Sequence, residues 1–133
     1  MREVLWVAAI VTVALLLLRG SRTQSIPDPP SDPQFAEQVI APSHSVPVVV
    51  KFGAKWCGPC RMMEPELDQL EQDLAGQVRV VRVDVDEHRD WADHFEVGGI
   101  PDTIVFSEGR GVARDTGLMR ATELESWLQP WLR

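Results

Sequence analysis

Cysteine is scarce in this sequence, with two residues in 133, and acidic residues outnumber basic ones by 20 to 13. Cys57 and Cys60 stand three positions apart, so a bridge between them closes almost no loop and adds little of the stabilisation that a domain-spanning staple supplies. That excludes a disulfide scaffold. With no second cysteine pair, a closed four-ligand zinc site is excluded as well, and His44, His88 and His94 lie too far apart in the chain to suggest a metal. From residue 28 onward, 10 Lys or Arg face 19 Asp or Glu, a net charge near −9, which argues against nucleic acid as a partner and suits a solvated surface. No internal repeat is present, and the roughly one hundred residues that follow the N-terminal segment allow one compact domain and no second.

Long apolar runs are also missing, with one exception. Val4 to Leu18 is apolar apart from Thr12, flanked by Arg2 before and by Arg19 and Arg22 after. At about 1.5 Å per residue it spans roughly 22 Å, short for a hydrocarbon core of about 30 Å and long for the core of a signal peptide. Because no small-residue cleavage site follows, residues 1–22 are expected to be an uncleaved membrane anchor rather than a removed signal, contacting the bilayer through residues 4–18. The arginines after the run would keep the domain in the cytoplasm, whereas a short tail before an apolar run suits export. The expectation adopted is an extracytoplasmic domain, held off the bilayer by a stiff Pro-rich spacer over residues 23–32.

The domain proper is expected over residues 33–133. Asp32 can cap a helix begun by Pro33 and ended by Pro42. Val46 to Phe52 is nearly all apolar and β-branched, as in a strand buried on both faces, with Lys51 as the odd residue. Met62, Met63, Leu67, Leu70 and Leu74 recur at spacings of three and four and predict a helix from Pro59, its methionines in the core and Pro65 kinking it. Val78 to Val85 alternates as a strand does, and Asp86 is placed to cap a helix carrying Trp91 and Phe95. Two short strands joined by Ser107 to Arg110 follow, and Thr122-Glu123-Leu124-Glu125 reads as a capping box for a final helix. Strands alternating with helices, then a hairpin and a helix, predict an α/β fold with a central mixed sheet covered by helices on both faces.

The chemistry sits in Trp56-Cys57-Gly58-Pro59-Cys60, where a buried strand gives way to a helix. At a helix N-terminus, unpaired backbone N–H groups and the positive end of the dipole stabilise a thiolate. Cys60, one turn along, can reach the same sulfur. Pro59 sets the helix start, and Gly58 leaves the sulfur accessible. A thiolate at Cys57 can therefore attack a disulfide, and Cys60 can then displace the reduced partner.

At these residues the chain resembles the thioredoxin family, whose Trp-Cys-Gly-Pro-Cys sequence is intact. Pro65, the stretch Val97-Gly98-Gly99-Ile100-Pro101, Gly109 and Gly117 extend the likeness over roughly residues 33 to 132. The resemblance implies a thioredoxin-like fold and a protein thiol–disulfide oxidoreductase without cofactor, more a reductant than an oxidant. Its partners would be proteins bearing disulfides or dithiols, together with a recycling redox partner. The resemblance also implies a cis bond at Ile100-Pro101, with Gly99, Ile100 and Pro101 receiving an extended substrate segment and Trp56 forming part of the docking surface.

The sequence departs from the family at Lys51, which stands where thioredoxins bury an aspartate that moves the proton of the second cysteine. Arg82 replaces that aspartate's lysine neighbour, Asp102 replaces the threonine after the cis-proline, and Gly53 replaces an aromatic residue. The family's first strand has no counterpart in the Pro-rich stretch before Asp32. Lys51 and Asp102 are expected to meet beneath the dithiol as an ion pair, Asp102 taking over proton transfer. In the alternative, Lys51 snorkels to water and Asp102 is a surface residue. With the dithiol's surroundings so altered, a non-catalytic binding module is the rival to an enzyme.

Overall fold

The β-branched run forms the centre of the sheet: Val48–Gly53 is strand β1, buried at every position, in a computed structural model that describes residues 2–17 and 25–133. β1 pairs in parallel with β2 (Arg79–Asp84) and antiparallel with β3 (Asp102–Ser107), which in turn pairs antiparallel with β4 (Arg110–Thr116). The order β2-β1-β3-β4 is the expected mixed sheet, with helices on both faces, and it has four strands among the described residues.

Successive side chains of a strand point to opposite faces, so β1 feeds two cores. Val48, Val50 and Phe52 pack with Phe35, Trp91 and Phe95 on one side, and Val49 packs with Met63, Leu67, Leu70, Leu124 and Leu128 on the other. Each such burial is worth about 1.5–3 kcal/mol. Lys51 shares the face of Val49 and is the one charged residue in the strand.

Two sets of helices supply the facing layers. On the Phe35 side, α2 (Pro33–Phe35), a π-helical turn (Ala36–Ile40) and α3 (Ala41–Ser43) run on as one stretch, opened by Asp32, whose Oδ1 accepts the Phe35 N–H at 2.8 Å. The stretch passes through Pro42, which was expected to break it. The wider π-helical turn, in which the Ala41 N–H reaches back to Ala36, accommodates the missing proline N–H. On the other side lie α4 (Gly58–Asp73), with Pro65 inside it, and α6 (Ala121–Leu128).

Three local expectations are corrected. Asp86 does not cap a helix, because α5 (Arg89–His94) starts three residues later. The capping box at Thr122 gives way to an earlier start: Glu123 accepts the Arg120 N–H, and Glu66 of α4 accepts the Ala121 N–H, both at 2.8 Å. Met63 is in the core, but Met62 is 63% exposed, since the inward stripe of α4 runs through Cys60, Met63, Leu67 and Leu70.

The N-terminal expectation is overturned. Helix α1 (Arg2–Leu17) has 16 residues, roughly 24 Å at 1.5 Å per residue, and among the described residues no helix is long and apolar enough to cross a membrane. The anchor expected through residues 4–18 is therefore not found, and the extracytoplasmic placement built on it falls with it; Leu18 lies outside the described residues. The stretch expected to be a spacer lies against the domain where it is described. Ile26 packs against the core cluster that contains Phe35, and its Cγ2 is 2.5 Å from the point a Cβ would occupy at Gly111, so any side chain there would force Ile26 to shift. The Asp28 carbonyl lies 2.7 Å from His94 Nε2.

Candidate active site

β1 ends at Gly53, and four residues later the chain turns into α4 with Cys57 as the residue that caps it. Cys57 has extended backbone, and its Sγ accepts the Cys60 N–H at 3.2 Å. A thiolate at this point would thus receive a backbone donor and the positive end of a 16-residue helix. Cys57 and Cys60 are joined as a disulfide, with Cα atoms 5.2 Å apart. Cys57 keeps 5% of its surface exposed and Cys60 1%, so Cys57 is the more accessible residue, though less open than a free helix end suggests.

Beside the disulfide, the Ile100–Pro101 peptide is cis, and the Ile100 carbonyl oxygen lies 3.8 Å from Cys57 Sγ. Gly99 and Ile100 line a groove of about 180 Å³ together with Trp56, Val85 and Val97. Trp56 is 70% exposed and is held by its indole N–H, which donates to Asp86 at 2.9 Å. Asp86 therefore fixes the aromatic rim of the groove instead of a helix. The fold thus brings Trp56, Cys57, Gly58, Pro59, Cys60, Gly99, Ile100 and Pro101 to one end of the sheet.

Lys51 and Asp102 are not brought together. In the register of β1 and β3, Lys51 lies opposite Thr103 and Asp102 opposite Phe52, so the two charged side chains leave opposite faces of the sheet. Neither alternative holds, for both residues are buried: Lys51 is 5% exposed and Asp102 1%. Asp102 accepts from Arg114 through both carboxylate oxygens, at 2.6 and 3.2 Å, with the Thr116 hydroxyl at 3.5 Å. Arg114 and Thr116 sit on β4, on the face that Asp102 occupies.

Lys51 instead reaches α4, where its ammonium donates to Oε1 of Glu64. The other oxygen of Glu64 accepts from Arg82 Nε at 2.7 Å, and Arg82 also binds Glu71 and Asp68 at 2.6 and 2.7 Å. Partial burial works to raise the Glu64 pKa, but hydrogen bonds from Lys51 and Arg82 outweigh it and hold the carboxyl below the ordinary glutamate range. Sequence reasoning missed Glu64. Its signal was the spacing from Cys60, four residues along the same helix and hence one turn below the sulfur.

Comparison with known proteins places these features in a family. The family model described as thioredoxin matches residues 29–130. The thioredoxin of Synechocystis sp. is 37% identical over 102 residues, covering 77% of this chain and 94% of that protein. The thioredoxin of Haemophilus influenzae is 33% identical over 98 residues, covering 74% and 90%. Among solved structures, a chain described as thioredoxin-2, a component of malaria parasite protein secretion machinery, superimposes with a TM-score of 0.62 at 26% identity, covering 64% of this chain and 82% of that one.

Proposed function

Since the chain belongs to the thioredoxin family and is a protein thiol–disulfide oxidoreductase, we propose that Cys57 is its attacking sulfur and Cys60 its resolving one, in a catalytic unit of residues 33–133. The observation behind this assignment is the capping geometry, in which Cys57 Sγ receives the Cys60 N–H at the start of α4 and retains more exposed surface than Cys60. A Cys57 thiolate would attack a disulfide of a protein substrate whose extended segment lies in the groove between Trp56 and Ile100. The mixed disulfide would then be resolved by Cys60. The Gly58-Pro59 pair supports action as a reductant, with a recycling redox partner returning the Cys57–Cys60 disulfide to the dithiol.

The test is a pair of substitutions. Cys57→Ser should abolish insulin reduction in the presence of dithiothreitol, whereas Cys60→Ser should accumulate a mixed disulfide with insulin that excess reductant reverses. If Cys60→Ser traps nothing, or Cys57→Ser traps instead, the division of roles is wrong.

A further inference from the structure

Lys51, Gly53 and Arg82 surround one cavity beside Cys60, and Glu64 closes the set. The cavity measures about 230 Å³. Its charged walls are Lys51 from β1, Lys55 from the loop after it, Arg61 and Glu64 from α4, and Arg82 and Asp84 from β2. Four cations thus face two carboxylates, in a chain whose formal net charge is −7. Beyond Arg82, Asp68 and Glu71 bind its outer nitrogens.

Gly53 sets the spacing of Lys51 and Cys60. The point at which a Cβ would stand on Gly53 is 3.0 Å from Lys51 Nζ and 3.3 Å from both Cβ and Sγ of Cys60. The ammonium and the sulfur therefore face each other across the space of one absent methyl group. An aromatic side chain at this position would fill that space and screen one from the other.

We infer that Lys51, anchored by Glu64, is the electrostatic partner of Cys60, and that it ionises the resolving sulfur without a carboxylate base. The inference rests on the assignment of Cys60 as the resolving sulfur. The Cys60 thiol loses its proton to solvent through the cavity, and the resulting thiolate is stabilised by the nearby ammonium. In the mixed disulfide, this thiolate attacks Cys57 Sγ. The Cys57–Cys60 bond forms, the bond from Cys57 to the substrate sulfur breaks, and the electron pair leaves on the substrate sulfur, which takes a proton from water. The protein dithiol is oxidised by two electrons and the substrate disulfide is reduced by two.

The experiment follows the reduced full-length protein in stopped flow with 5,5′-dithiobis(2-nitrobenzoate). Attack by Cys57 releases the first thionitrobenzoate and resolution by Cys60 the second. Lys51→Met should slow the second release about tenfold at pH 7 and move the midpoint of its pH profile up by about one unit, the rate recovering at higher pH. Glu64→Gln leaves the ammonium unshared and should move the midpoint down. Lys51→Arg keeps the charge and should keep the midpoint. Opposite displacements in Lys51→Met and Glu64→Gln are not expected of a purely structural role. Midpoints that stay put in folded variants, or move in the same direction, overturn the inference, while the Cys60→Ser trap still reports separately on Cys57. Should Lys51→Met fail to fold, an unmoved midpoint in Glu64→Gln overturns it alone.

Discussion

The sheet carries a buried cation–carboxylate contact on each face, and the two differ in how they end. On one face Asp102 and Arg114 form a closed pair, with side chains 2% and 9% exposed. On the other, Lys51 is 6% exposed but its partner Glu64 is 38% exposed and passes the charge on to Arg82 and the acidic edge of α4. The closed pair touches no sulfur and borders β4, whereas the open one borders a cavity that Cys60 also lines. A buried charge whose partner is equally buried must be satisfied inside the protein, and removing either half leaves the other stranded. A buried charge whose partner reaches solvent can exchange protons and water with the outside. The first arrangement stabilises a strand pairing; the second is suited to a step that moves a proton.

Asp102→Asn is where the comparison should be easiest to break. It leaves Arg114 without a counter-charge in a buried site and should cost on the order of 3 kcal/mol in chemical denaturation, while leaving the pH profile of resolution in place. A loss below about 1 kcal/mol would put this pair in the class of exposed ones. A smaller effect is expected on acidification. Glu64 has a folded pKa below its ordinary value near 4.5, so its contribution is fully present above that value and is lost as pH falls through the lower folded one. Melting temperatures of wild type and Glu64→Gln, followed from pH 6 to pH 3, should therefore converge on the acid side. Parallel curves over that range would mean that Glu64 takes no part in acid unfolding. The least effect belongs to the outer edge of the network. Asp68→Asn removes one exposed contact to Arg82 and should change stability by under about 0.5 kcal/mol, with Arg82 still held by Glu64 and Glu71.

Much of this was legible in the sequence because the relevant signals are local. The β-branched run before Phe52 gave the central strand, the spacing of Met63, Leu67 and Leu70 gave the inward face of α4, and the pentapeptide at Trp56 placed the dithiol at the end of one and the start of the other. The partner of Lys51 was not legible, because it depends on strand register. With Asp102 opposite Phe52 rather than Lys51, a difference of one residue decides which face of the sheet a side chain leaves from, and no pattern along the chain records it. Arg114 was hidden for the same reason, since its link to Asp102 exists only through the pairing of β3 and β4. Glu64 was nearer to being readable, as helical spacing alone puts it under Cys60. Asp86 carried a genuine capping signal, yet Trp56 from a distant loop took its carboxylate.

The seating of Ile26 on Gly111 fixes which end of the sheet the segment before Pro33 lies against. Gly111 pairs with Phe106, and Phe106 with Val48, whereas the dithiol follows Gly53 at the opposite end of β1. The six residues from Val48 to Gly53, five steps along the strand, correspond to roughly 17 Å. Ile26 therefore meets the sheet at the end away from the reactive sulfurs. The groove beside Trp56 and Ile100 lies at the other end, so the contact made by Ile26 leaves it clear.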